Sequence, residues 1–210
     1  MKYIDEPIRT YIEDASSGKP TPGGGSIAGF TGALSCTMLR MVCNFTTGKK
    51  KYADVQEQID RILEKGTRLT EDLLKLTVDD TKAYSQVSAA YGMPKDSDEE
   101  KSKRSRAIQD ACKAAMKVPE DISAACHEIL RLLNDLADIG NPNLITDTGV
   151  SALLAFAALE SAALNVTINL KFIRDDAFTA QKSGQLNLRI SDSEVLKNAI
   201  MEKVNKAVSG

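Results

Sequence analysis

Asp79 and Asp80 stand side by side in a stretch rich in leucine, alanine and tyrosine. A helix turns about 100° per residue, so two adjacent carboxylates face different ways. Leu69, Leu73, Leu76, Ala83, Tyr84, Val87 and Tyr91 trace one apolar stripe, and Asp80 falls on it between Leu76 and Tyr84. Asp79 falls with Lys75, Lys82 and Gln86 on the polar face. The pattern therefore aims Asp80 at the interior and Asp79 at solvent. Burial disfavours the charged carboxylate and raises its pKa, which suits proton transfer near neutrality. A salt-bridged or helix-capping structural aspartate fits the same pattern.

A second chemical candidate is Pro20-Thr21-Pro22-Gly23-Gly24-Gly25-Ser26. Consecutive glycines cost backbone entropy. At a helix entrance they let N–H groups approach a ligand closely, helped by the helix dipole. Gly23-x-Gly25-x-x-Ala28 imitates a dinucleotide fingerprint, but that fingerprint follows a strand. Lys19-Pro20-Thr21-Pro22 cannot be a central strand, so a Rossmann site is rejected. Gly48-Lys49 lacks the upstream glycine and following Ser/Thr of a Walker loop. Gly25, Gly29, Gly32 and Ala33 also form a small-residue face that another helix could touch. Ligand turn and packing face both stand as readings.

Asn165 and Asn169 lie i,i+4 in an otherwise apolar segment, and Ser161 continues their stripe. Buried amides need partners, either a pterin-like ligand edge or another helix. Asn141, Asn143 and Asp147 crowd a turn upstream, where turn chemistry alone explains asparagine. The run Lys49-Lys50-Lys51 is a solvated face or a contact for an anionic tail. No C-x-x-C pair links Cys36, Cys43, Cys112 and Cys126, so they read as free buried thiols of a reducing cytosol. His127 is the only histidine. It has no evident nucleophile partner and cannot build a His-based metal site, so no metal is expected.

These groups need helices to position them. Ile4, Ile8, Tyr11 and Ile12 predict a short helix over 3–15. A second helix is expected from Gly24 to about Thr47, and a very long one over 52–91 with a kink near Gly66. Gly92-Met93-Pro94 ends it. A charged helix is predicted over 97–117, capped by Ser97 or Asp98. Pro119 then opens another, running to about Ile139. After the turn Gly140-Asn141-Pro142-Asn143, a buried helix is expected from about Thr148 to Ile173. A last amphipathic helix is placed at about 192–207. Period-two alternation is scarce and Trp is absent, so no sheet is expected. The fold class is all-α, one domain over 1–210, a helical bundle with long antiparallel helices.

The bulk numbers exclude several classes. Net charge is −2, which gives no electrostatic footprint for nucleic acid. Met1 to Glu6 carries Lys2, Asp5 and Glu6 and no apolar core, so no secretory leader is expected. Gly149 to Leu170 is the longest apolar stretch, but Glu160, Asn165 and Asn169 interrupt it and argue against a membrane span. A cytoplasmic location follows as the expectation.

Taken together, Pro22-Gly23-Gly24-Gly25-Ser26, Met41-Val42-Cys43-Asn44 and Gly48-Lys49-Lys50-Lys51-Tyr52 resemble the opening of the formimidoyltetrahydrofolate cyclodeaminase / methenyltetrahydrofolate cyclohydrolase family. Asp80-x-x-Ala83-Tyr84, Met93-Pro94-Lys95, Gly140-Asn141 with Asp147, and Asn165-Val166-x-Ile168-Asn169-Leu170 continue the match in order along nearly the whole chain. The resemblance implies an all-α homodimer with its folate site near the glycine turn and the subunit interface. It implies Asp80 as the catalytic acid/base. It implies substrate contacts from Gly23, Gly24, Gly25, Ser26, Lys49, Tyr84, Lys95, Asn141, Asp147, Asn165 and Asn169. The substrate is a tetrahydrofolate derivative, with no further cofactor. The family's two chemistries are closure of N5-formimidoyl-tetrahydrofolate with loss of ammonia, and hydrolysis of 5,10-methenyl-tetrahydrofolate to 10-formyl-tetrahydrofolate. A stand-alone unit without the formimidoyltransferase half, together with Tyr91-Gly-Met-Pro-Lys95 and Glu99-Glu100-Lys101, resembles the bacterial cyclohydrolases more. Pro142, inserted after Gly140-Asn141, departs from the pattern and is expected to reshape a pocket wall. A non-catalytic helical interaction module is the competing class. It predicts no pocket at Gly23–Ser26 and a fully salt-bridged Asp80.

Overall fold

A computed structural model describes residues 3–209. Met1 and Lys2, part of the opening segment read above, lie outside the described residues, as does Gly210. The described chain is helical throughout, without a strand: α1 (Ile8–Ala15), α2 (Gly24–Asn44), α3 (Gln56–Tyr91), α4 (Asp98–Ile139), α5 (Ile145–Leu170) and α6 (Asp176–Ser209). Short 3-10 turns at Tyr3–Asp5, Lys50–Val55 and Pro142–Leu144 precede α1, α3 and α5.

Small residues set the centre of the bundle. Gly29 and Gly32 of α2 let α3 come close, because a Cβ at either would lie 2.7 Å from Thr77 Oγ1 or 3.1 Å from Leu73 Cδ2. On its other side α2 meets α5. There Ser35 Oγ donates to Ser151 O and Ser151 Oγ to Ser35 O, each at 2.8 Å. These reciprocal bonds satisfy two fully buried hydroxyls and fix the register of the pair. Leu39, Ile122, Ile129, Leu133, Leu159 and Ile200 fill the main core. A smaller apolar cluster around Ile108, Met116, Val166 and Leu186 packs α4, α5 and α6 at the other end. Consecutive long helices run antiparallel. α4 and α6 run parallel, as shown by the pairs Glu120–Lys182, Ser123–Arg189, His127–Ser193 and Asn134–Lys203.

Several expectations are corrected. Pro119 does not start a helix; α4 passes through it as one helix of 42 residues. An interior proline costs about 3 kcal/mol, but burial of a long apolar face outweighs so local a preference. Ser97 is the cap, in a capping box with Glu100. α3 continues through Gly66 without a break, because Gly66 serves the approach of Leu39 rather than a kink. The last helix begins at Asp176, 16 residues before the expected 192. The segment 3–15 splits at Pro7, and only Tyr11 of its stripe is buried; Ile4, Ile8 and Ile12 are exposed. α5 is buried on one side only. Val150, Leu153, Leu164 and Ile168 emerge on the surface. α2 and α5 are long and apolar enough to cross a membrane, yet about half of each lies inside the protein.

Candidate active site

The N-terminus of α2 points at Asp80. Gly23 caps the helix, and its first backbone bond runs from Ile27 N–H to Gly23 O. The N–H groups of Gly24, Gly25 and Ser26 therefore belong to the turn that has no intrahelical acceptor. Ser26 N–H donates instead to Asp80 Oδ2 at 2.9 Å. Gly25 makes this approach possible: a Cβ there would sit 2.6 Å from Asp80 Cγ and 3.0 Å from Oδ2. The two readings of the glycines are thus both met on one helix. Gly25, Gly29 and Gly32 pack against α3, and Gly24 faces Asn165, with its Cβ direction 3.5 Å from Nδ2.

Two opposing effects act on Asp80. Desolvation raises its pKa, and the Ser26 N–H at the positive end of α2 opposes the rise. Desolvation is the larger, so the carboxyl holds its proton above the ordinary value of 3.8. No cation pairs with Asp80 among the described residues, whereas Asp79 pairs with Lys82 at 2.7 Å. Both aspartates are half-buried, and of the predicted stripe only Leu73 is buried while Tyr84 and Tyr91 are exposed, so what separates the two carboxylates is their partners, a backbone N–H for Asp80 and a lysine for Asp79.

Asp80 opens into a cavity of about 610 Å³ walled by Thr21, Gly23–Gly25, Tyr84, Val87, Tyr91, Cys112, Asn165, Ile168, Asn169 and Phe172. That volume lies in the range of small-molecule and cofactor sites. Both asparagine amides bond back along their own helix. Asn165 Nδ2 donates to Ser161 O at 2.9 Å and Asn169 Nδ2 to Asn165 O at 2.8 Å. They do not tie helices together, and each retains its carbonyl oxygen as an acceptor. Both marks of a non-catalytic module are thus missing: the cavity is present and Asp80 is not salt-bridged.

Gly23, Gly24, Gly25, Asp80, Tyr84, Asn165 and Asn169 meet in this cavity, with Ser26 behind it. Lys49, Asn141 and Asp147 do not. α2 has 21 residues, about 30 Å at 1.5 Å per residue, and these three lie at its far end. Asn141 N–H donates to Thr46 Oγ1 there, and the Lys49 ammonium lies 5.6 Å from the Phe45 ring centre. Pro142 walls a different cavity with Tyr52 and Thr148, so it does not shape the Asp80 pocket of this chain. Lys95 is exposed on the α3–α4 connection, outside the cavity wall.

Sequence reasoning passed over Tyr11. Its buried hydroxyl lies 3.0 Å from Ser26 Oγ, bracing the residue that holds Asp80. Its one sequence signal was a place in a helical run. Cys112 and Phe172 were also missed as cavity walls. His127 does have a serine partner, Ser193 Oγ at 2.8 Å, with Asp192 3.4 Å from Nε2. Ser193 is fully buried and burial lowers the His127 pKa, so this pair joins α4 to α6 and faces no substrate. The four cysteines are free and buried. No cluster of three metal-ligating side chains occurs among the described residues.

Residues 7–187 match the formiminotransferase-cyclodeaminase family profile. The chain belongs to the formiminotransferase-cyclodeaminase family. A methenyltetrahydrofolate cyclohydrolase of Methylorubrum extorquens is 40% identical over 98% of this chain and 99% of its own length. The formimidoyltransferase-cyclodeaminase of Sus scrofa is 26% identical over 97% of this chain, which spans 38% of that longer protein. A crystal structure of formiminotetrahydrofolate cyclodeaminase from Thermotoga maritima superposes with a TM-score of 0.88 at 32% identity, over 97% of this chain and 98% of that one. The family and the helical fold implied by the sequence motifs are therefore established.

Proposed function

We propose that this family member is a cytoplasmic methenyltetrahydrofolate cyclohydrolase with Asp80 as its general acid/base. The observation that carries the reading is the near full-length likeness to a protein named for that activity. The half-buried carboxylate, without a cation beside it and at the mouth of a glycine-lined cavity, supports it.

In 5,10-methenyl-tetrahydrofolate one carbon bridges N5 and N10 as a cationic amidine. Water adds to that carbon while the Asp80 carboxylate takes one of its protons, leaving a tetrahedral carbinol. The bond from carbon to N5 then breaks, Asp80 returns the proton to N5, and the carbinol proton leaves to solvent. The products are 10-formyl-tetrahydrofolate and one proton. A positioned acid/base of this kind is worth about 10²–10⁴ in rate. The free N–H groups of Gly24 and Gly25 suit the carbinol oxygen as negative charge gathers on it. Asn165 and Asn169 offer carbonyl oxygens to the N–H edge of the pterin, and Tyr84 gives a flat wall. The step changes no oxidation state, and we assign it no cofactor; dialysis against a chelator should leave turnover intact.

A homodimer completes the site in this proposal. Ile27, Leu34, Phe45, Val150, Leu153 and Leu164 form an exposed apolar face along α2 and α5, an area that a second copy would cover. Antiparallel pairing across that face would carry the partner's far end, with its counterparts of Lys49, Asn141 and Asp147, to the Asp80 cavity. Sedimentation of wild type and Leu153→Glu tests it: a dimer that becomes a monomer with loss of turnover is expected. A monomeric, active wild type would contradict it.

The Thermotoga maritima relative favours a second reading, cyclodeamination. N10 would attack the protonated formimidoyl carbon, Asp80 would take the N10 proton, and it would return that proton to the amino nitrogen as the carbon–nitrogen bond breaks and ammonia leaves. Purified protein is given methenyl-tetrahydrofolate and its absorbance followed; formimidoyl-tetrahydrofolate is supplied separately and ammonia measured. Loss of absorbance is the expected result. Ammonia release without hydrolysis of the methenyl substrate would overturn the cyclohydrolase reading.

A further inference from the structure

α1 is anchored to the bundle by one side chain. Tyr11 is buried, while Ile8 and Ile12 on the same helix stay exposed. A helix of eight residues does not persist alone in water, so its place depends on what Tyr11 touches. The Tyr11 ring centre lies 5.3 Å from that of Phe30 and 5.4 Å from that of Tyr3, and the Tyr3 hydroxyl donates to Asp14 Oδ2 at 2.9 Å. The Tyr11 hydroxyl lies 3.0 Å from Ser26 Oγ. Ser26 and Phe30 stand one turn apart on α2, so a single side chain grips the start of that helix at two points.

The polar half of this grip is more than packing requires. Ser26 is fully buried and Tyr11 is 5% exposed, and among the described residues each hydroxyl has only the other as partner. Phenylalanine and alanine would fill the same space. The same Ser26 presents its N–H to Asp80 Oδ2 at 2.9 Å, and that bond opposes the desolvation that raises the Asp80 pKa. Asp80 in turn lies close enough to act on Tyr11: burial is the main cause of the raised pKa of the phenol, the Ser26 bond opposes it, and the Asp80 charge adds to it. The contacts thus run from α1 through α2 to α3.

We propose that Tyr11 is a positioning residue for the reaction: its bond to Ser26 Oγ holds the first turn of α2 against α3, keeps the Ser26 N–H aimed at Asp80, and so sets how readily that carboxyl gives up its proton. The inference rests on Asp80 as the acid/base and deepens that reading. α1 then belongs to the catalytic unit, although none of its side chains lines the Asp80 cavity. A carboxylate gains more than a neutral carboxyl from an N–H at a helix N-terminus, so slackening this turn holds the proton to higher pH. The other titratable groups around Asp80 are Tyr84, Tyr91 and Cys112 in the cavity wall, and Asp79, paired with Lys82 on its own helix; Glu6 lines the recess on the outer side of Tyr11. No charged side chain of α2, α4 or α5 lines the cavity.

The test is the pH profile of kcat/KM for methenyl-tetrahydrofolate, corrected for uncatalysed hydrolysis, with full-length wild type, Tyr11→Phe, Ser26→Ala, the double variant, Tyr3→Phe and Glu6→Gln. Tyr11→Phe should move the acidic limb upward by about one pH unit, the size that goes with weakening a hydrogen bond to a charged group. It should lower kcat about tenfold, as a misplaced catalytic group does, with KM within about twofold. Ser26→Ala should move the limb the same way, and it alone decides if Tyr11→Phe does not fold. Each single variant leaves a buried hydroxyl unpaired and should melt below wild type. The double variant removes both and should recover melting while keeping the displaced limb. Tyr3→Phe and Glu6→Gln should leave the limb in place. A limb that stays put in the single variants, or one that returns with melting in the double variant, overturns the positioning role and leaves Asp80 as the acid/base. A wild type without the limb removes the Asp80 reading and this one together.

Discussion

The two ends of α2 are built from similar side chains, and they differ in what their polar atoms have left to offer. At the far end Asn141 uses its N–H on Thr46 Oγ1, its Nδ2 on Phe45 O and its Oδ1 on Asn143 N–H. Gln56 spends its side chain on Gly48 N–H and Asp60 in the same turn. At the near end Asp80 accepts one bond, from Ser26 N–H, and Asn165 and Asn169 hold only their own helix. Saturated polar groups stabilise a turn; unsatisfied ones around a cavity are available to a substrate. The contrast separates the asparagine whose side chain is saturated, Asn141, from Asn165 and Asn169, whose carbonyl oxygens stay free, which residue type alone does not.

The largest effect is expected at the acid itself. Asp80→Asn should lower kcat/KM by about 10³, within the range for a lost acid/base, with the fold retained by circular dichroism. Next is Gly25→Ala, whose methyl would lie against the Asp80 carboxylate. It should cost about 1–3 kcal/mol of stability, as overpacking does, and most of the activity. The third test separates the two ends directly. Asn165→Ala should raise KM about tenfold, the effect of losing one good hydrogen bond to substrate, and leave Tm nearly unchanged. Asn141→Ala should lower Tm through loss of its two side-chain bonds, Nδ2 to Phe45 O and Asn143 N–H to Oδ1. A rise in KM beside that loss would place the partner's far end at the cavity.

The smallest effect concerns stability and pH. The folded carboxyl of Asp80 has a raised pKa, so between the unfolded and folded values the native state binds more protons than the unfolded state. Stability contributed here falls as pH rises through that window. Asp80→Asn has no such loss, so it should melt above wild type at neutral pH and approach it at acid pH. Equal melting at both would mean that burial does not act on this group.

The helical class, the inward aim of Asp80 and its company of glycines and paired asparagines were legible from period and residue type. Helix boundaries were less so. Pro119 and Gly66 read as breaks because local preference was all the sequence displayed; packing of α3 and α4 overrides it. Tyr11 was invisible as a support because its partner, Ser26, is set by tertiary contact. Ordered motifs also gathered Lys49, Asn141 and Asp147 with Asp80, but order along the chain does not show that about 30 Å of helix lies between them.

One measurement bears most directly on Asp80: the pH profile of kcat/KM for methenyl-tetrahydrofolate in wild type and Asp80→Asn, each corrected for uncatalysed hydrolysis. Wild type should show an acidic limb with its midpoint above the ordinary carboxylate value of 3.8, and the residual rate of the variant should be flat across that range. A variant that keeps both the wild-type rate and the limb would contradict the role of Asp80.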